Sequence, residues 1–154
     1  MRSMRVAAVA LAMSLLAAGF GQAAELSSSV GKKIDNFTLK DFRGKSHSLS
    51  DYEDQPVVVI FMGTECPLAK LYGPRMQQLS EEFEGAAFLG VNANRQDSVT
   101  ELDAHARNHG IEFPLLKDLG NKVADMFGAT RTPQVFLLDK DRVIRYQGRI
   151  DGQY

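Results

Sequence analysis

Val57-Val58-Val59-Ile60-Phe61-Met62-Gly63-Thr64-Glu65-Cys66-Pro67-Leu68-Ala69 joins two periodicities in one short stretch. Val57 to Phe61 is apolar at every position, the pattern of a strand covered on both faces, which places it centrally in a sheet. From Pro67 onward, Leu68, Leu71, Tyr72, Met76, Leu79 and Phe83 recur at three- and four-residue spacing, the mark of an amphipathic helix. Gly73-Pro74 falls inside that helix and predicts a kink, because proline lacks the N–H and clashes with the preceding turn. Cys66, the chain's single cysteine, stands at the junction. Unpaired N–H groups and the positive dipole end of a helix stabilise a thiolate, the reactive form of the side chain. A buried, inert cysteine is the competing reading.

Outward from this junction, strand and helix patterns alternate. Upstream, Ile34 to Leu39 alternates in polarity, Asp41 to Lys45 turns the chain, and His47-Ser48-Leu49 returns as the second arm of a hairpin. Downstream, Ala86 to Val91 is a second buried strand ending in a polar loop, Asn92 to Asp97. Ser98 with Glu101 forms a capping box for a helix that runs to about His109 and stops at Gly110. Phe113 to Leu116 is extended, Asn121 begins a small helix through Phe127, and Gln134 to Leu138 with Val143 to Gln147 forms a closing hairpin. This order describes one α/β domain with a central mixed sheet, an N-terminal hairpin and flanking helices.

The other end of the chain bears on its compartment. Arg2 and Arg5 precede an uncharged stretch, Val6 to Phe20, and Gly21-Gln22-Ala23 offers small residues to a signal peptidase. We expect a signal peptide over residues 1–23, a domain over 24–154, and a secreted or periplasmic protein. The apolar run is shorter than the roughly 20 residues of a membrane span. Losing the two arginines leaves a net charge of about −3, which gives no support for a nucleic-acid partner. In an oxidising compartment a lone thiol cannot close an internal disulfide, so Cys66 is free, reactive, or joined to another molecule.

The stretch Phe61 to Ala69, with Thr132-Pro133 at the start of a later strand, resembles the redoxin, or AhpC/TSA (peroxiredoxin-like), group of the thioredoxin-fold superfamily. Asp35 to Leu39, Gly44 and Ser48 to Tyr52 resemble the group's N-terminal hairpin, so the likeness spans residues 30 to 150. It implies a thioredoxin-like fold, antioxidant or thiol-disulfide oxidoreductase activity, a cis peptide at Thr132-Pro133 beside the thiol, and Cys66, Thr64, Pro133 and Arg131 as site residues. There are three departures. The second cysteine of a CxxC motif would fall at Ala69. Gly63 and Val59 stand where typical peroxiredoxins carry Thr or Ser and Pro. The peroxiredoxins' arginine position is taken by Pro133, with Arg131 two residues away. The chain thus looks like a variant that keeps only the first cysteine.

The resemblance implies thiolate attack on a peroxide or a disulfide, with regeneration by an external thiol reductant, either a small thiol or a thioredoxin-like protein. Lys70 and an inward-folding Arg131 would favour the thiolate, and Glu65 would oppose it. Members of this fold end in a helix that covers the sheet. The chain stops soon after its last strand, so we expect that helix to be missing, through truncation or with a homodimer shielding the face. A non-catalytic binding module, or a fragment of a larger protein, is the alternative. His105 and His109 have a metal-compatible spacing, but no third ligand is placed beside them, and two surface histidines are expected rather than a metal site. Asn92 to Asp97 is expected to be a solvated loop, with Asn94 or Arg95 able to line the thiol pocket. We expect no cofactor.

Overall fold

The computed structural model describes residues 28–152. The expected leader over residues 1–23 and the last two residues, 153–154, lie outside them. Seven strands form one mixed sheet: β1 (Thr38–Asp41), β2 (Ser46–Ser48), β3 (Val57–Phe61), β4 (Ala87–Asn92), β5 (Leu115–Lys117), β6 (Gln134–Leu138) and β7 (Ile144–Gly148). Their order across the sheet is β2-β1-β5-β4-β3-β6-β7. β3 runs parallel to β4 on one side and antiparallel to β6 on the other, as a strand apolar at every position should. Among the described residues no helix is long and apolar enough to cross a membrane.

Alternate residues of β3 divide the core. Val57, Val59 and Phe61 pack on one face with Phe127, Phe136 and residues of helix α3 (Lys122–Phe127). Ile60 joins the other face, where α1 (Pro67–Glu82) and α2 (Val99–His109) supply Ala69, Tyr72, Met76, Leu102 and Ala106. The Phe61 ring meets Phe127 and Phe136 edge-on at centroid distances of 5.4 and 5.6 Å. That contact fixes the end of β3 from which the Cys66 loop departs.

Several local expectations are revised. The N-terminal hairpin forms, but its first strand begins only at Thr38, and Leu49 opens a short 3-10 turn over Leu49–Tyr52. α1 spans Pro67–Glu82 with Pro74 inside it, at the place where the sequence predicts a kink. Its buried face is Ala69, Tyr72, Gly73 and Met76, whereas Leu68, Leu71 and Phe83 are about half exposed. Gly73 explains the rotation. A Cβ there would stand 2.6 Å from His109 Cβ, so the missing side chain lets α1 lie close against α2 and turns the leucines outward. Asn121 precedes α3 in the left-handed region but does not cap it. Buried Asp118 does so instead, its Oδ2 accepting from Val123 N at 3.0 Å and Ala124 N at 2.9 Å. Ser98, Glu101 and Gly110 bound α2 as the sequence predicts.

Candidate active site around Cys66

Cys66 is the N-cap residue of α1, and Pro67 occupies the first turn, where a missing N–H costs nothing. The thiol is half-buried and its Sγ–H donates to Thr132 O at 3.2 Å. The Thr132-Pro133 bond is cis. Two segments far apart in sequence therefore meet at the sulfur. The second is held by Gln134, a buried side chain whose Oε1 accepts from Thr130 N at 2.9 Å and braces residues 130–133.

The loop before Cys66 is anchored on its other side. Asp97 is buried, and its Oδ2 accepts from Thr64 N at 2.9 Å, Asn92 Nδ2 at 2.6 Å and Asn94 Nδ2 at 3.2 Å. Burial pushes the Asp97 carboxyl up, but these donors outweigh it and hold its pKa below the ordinary range. Asn92 Nδ2 also reaches Met62 O at 3.2 Å, and Lys117 Nζ donates to Asn92 Oδ1 at 2.7 Å and to Asn94 O. Burial in turn lowers the Lys117 pKa. In the segment expected to be a solvated loop Arg95 and Gln96 are indeed exposed, but buried Asn92 and Asp97, with half-buried Asn94, form a polar clamp on residues 62–64. Runs of Asn and Asp read as turns in a sequence, and only the parallel pairing of β3 with β4 and of β4 with β5 brings these side chains together.

Of the remaining sequence-derived candidates, Thr64 is buried with its backbone on Asp97, and its Oγ1, close to that carboxylate, has no hydrogen bond of sound geometry. Gly63 is required by close approach: a Cβ there would overlap Asn94 Nδ2 and lie 3.6 Å from Thr132 Oγ1. A peroxiredoxin-like threonine at position 63 therefore has no room. Ala69, in the place of a second cysteine, is fully buried. Arg131 is exposed and makes no ion pair or side-chain hydrogen bond among the described residues, so it does not fold inward. Exposed Lys70 and Glu65 pair with each other at 3.2 Å.

His105 also departs from expectation. It is buried rather than on the surface, its ring centroid 4.3 Å from that of His109, and His109 Nδ1 is 2.9 Å from His105 O. Burial, with the nearby His109 and Lys70, lowers the His105 pKa to about 4. Among the described residues no three His, Cys, Asp or Glu side chains converge on a metal-sized site.

The AhpC/TSA family model matches residues 30–147, which takes in β1 to β6, all but the last residue of β7, the Cys66 loop and Pro133. The chain belongs to the AhpC/TSA family. Among curated AhpC/TSA-like relatives, it is 30% identical over 112 residues to the thiol-disulfide oxidoreductase ResA of Halalkalibacterium halodurans, covering 71% of this chain and 62% of that one. It is 34% identical over 128 residues to the chloroplastic peroxiredoxin Q of Triticum aestivum, covering 77% of this chain and 58% of the relative. The chain thus spans about three-fifths of the length of these two relatives. Among solved structures, a hypothetical protein from Sinorhizobium meliloti superposes with a TM-score of 0.78 at 27% identity, covering 83% of this chain and 74% of that one. A secreted disulfide oxidoreductase of Mycobacterium tuberculosis, homologous to DsbE, gives a TM-score of 0.65 at 17% identity over 70% of this chain and 79% of that one, a likeness of fold alone. The AhpC/TSA chain therefore has a thioredoxin-like fold.

Proposed function

We propose that this chain is an exported one-cysteine oxidoreductase in which the Cys66 thiolate exchanges with disulfides. The supporting observation is a half-buried, solitary thiol at a helix N-cap, hydrogen-bonded to the carbonyl beside a cis-proline. In the first step Cys66 S⁻ attacks one sulfur of R–S–S–R′, forming Cys66–S–S–R and releasing R′–S⁻. With Ala69 in place of a second cysteine, an external thiolate R″–S⁻ must attack the R sulfur, releasing Cys66 S⁻ and R–S–S–R″. The assigned roles are Cys66 as nucleophile, Thr132-Pro133 as the edge that seats the substrate, and Thr64 as the anchor of the loop. Export rests on the signal peptide that the sequence leads us to expect over residues 1–23.

Peroxide is the second reading, favoured by the likeness to peroxiredoxin Q. It would convert Cys66 to a sulfenic acid. Cleaving an O–O bond calls for donors that stabilise the departing oxygen. The sulfur's hydrogen bond is to a carbonyl, Gly63 supplies no hydroxyl, and exposed Arg131 makes no hydrogen bond to the sulfur, so disulfide is the better supported substrate.

Reduced protein, challenged separately with a stoichiometric small disulfide and with hydrogen peroxide plus dimedone, and then read by intact mass, tests this. The expected result is rapid gain of one thiol mass on Cys66, reversed by added thiol, slow dimedone capture, and neither in Cys66→Ser. Dimedone capture faster than disulfide capture would establish the peroxide reading. Inertness to both reagents and to iodoacetamide would leave a binding module.

A further inference from the structure

Two hollows meet at Arg131. One, of about 330 Å³, is floored by Phe61, Val91 and Ala124 and rimmed by Asn94, Arg131 and Thr132. The other, of about 430 Å³, shares Thr130 and Arg131 and carries Lys32. Among the described residues no Asp or Glu lines either one, although the chain holds 19 acidic residues and has a net negative charge. By contrast, the small cleft lined by Thr64 and Lys70 contains Glu65 and Glu101. Among the described residues the Arg131 guanidinium is thus a cation without a partner at the mouth of a hollow that carries no carboxylate, geometry suited to a carboxylate ligand. The hollow adjoins the nucleophile through Thr132, which stands on its rim and whose carbonyl accepts from the Cys66 thiol.

We infer that this hollow is a subsite for a small carboxylate-bearing thiol, with Arg131 pairing the carboxylate and the apolar floor taking the methylene stem while the sulfur reaches Cys66. The inference rests on the exchange reading above and names the class of R, the thiol half that joins Cys66 in the mixed disulfide. Arg131 becomes a specificity-determining residue one residue removed from the Thr132 carbonyl, not a group acting on the sulfur itself.

The test uses full-length protein whose Cys66 carries a pyridyl disulfide. An incoming thiolate attacks Sγ, forms Cys66–S–S–R and expels thiopyridone, whose absorbance gives a second-order rate constant. Mercaptopropionate, mercaptoethanol and cysteamine are compared, each divided by its rate with a cysteine reference peptide to remove intrinsic thiol reactivity. The expected order is mercaptopropionate, mercaptoethanol, cysteamine, with the first ahead of the second by about three- to fivefold, the scale of one exposed ion pair. That normalised ratio should fall to about one in Arg131→Gln or at high salt, and persist in the distant Lys140→Gln. Equal normalised rates, or a preference that survives Arg131→Gln, would overturn the subsite and leave exchange intact. Failure of Cys66 to accept or release any of these thiols would instead overturn the exchange reading.

Discussion

Gly63 shows how much one absent side chain decides. A Cβ there would overlap Asn94 Nδ2, and Asn94 in turn donates to the Asp97 carboxylate that holds Thr64 N. Gly63→Ala should therefore cost about 1–3 kcal/mol, the usual range for forcing atoms into a packed site. Urea unfolding measures it, and pairing the change with Asn94→Ala should recover part of the loss. A neutral Gly63→Ala would mean that Asn94 moves aside freely. The position of Cys66 was legible in the sequence because the strand and helix periods change beside it. Its clamp was not, since Asn92, Asn94 and Asp97 converge on residues 62–64 only once β3 and β4 pair.

Among the elements, α1 is the one whose existence was plain and whose orientation was not. Leucines dominate a hydrophobicity pattern, but here the small residues Ala69 and Gly73 set the contact face, since they let two helices approach closely. Leu71→Gln should change stability by no more than about 0.5 kcal/mol, as for other exposed positions. Met76→Ala, at a fully buried site, should cost about 2–5 kcal/mol. Gly73→Ala should destabilise despite alanine's higher helix propensity, because its Cβ would meet His109 Cβ at 2.6 Å. Thermal unfolding of the three variants separates the faces. A large loss in Leu71→Gln would restore the leucine stripe as the packed side. By contrast, α2 was legible at both ends, because its capping box and terminal glycine are local chemistry that tertiary contacts leave unchanged.

At the scale of the whole molecule, the helices packed on the sheet bury titratable groups of both kinds, and their signs give stability two acid-sensitive windows. The folded pKa of His105 lies near 4 against an ordinary 6.5, so the unfolded chain binds a proton that the folded chain refuses. Its contribution is full above pH 6.5, declines as pH falls toward 4, and then levels off. The slope is at most about 1.4 kcal/mol per pH unit for one proton. Asp97 and Asp41 have folded values below the ordinary 3.8, so their contributions are full above that pH and are lost as pH falls through the lowered values. The groups bearing on His105 are His109 and Lys70, which favour its neutral form, and Asp97 and Glu65, which oppose them. Chemical denaturation across this pH range should show a decline beginning near pH 6.5 and a second below about 4. His105→Leu should flatten the upper part and leave the lower. Asp97→Asn should be less stable than wild type at neutral pH, with the gap closing in acid. If the upper decline has the same slope in His105→Leu as in wild type, His105 is not the group that binds the proton, and its burial between α1 and α2 carries no acid sensitivity.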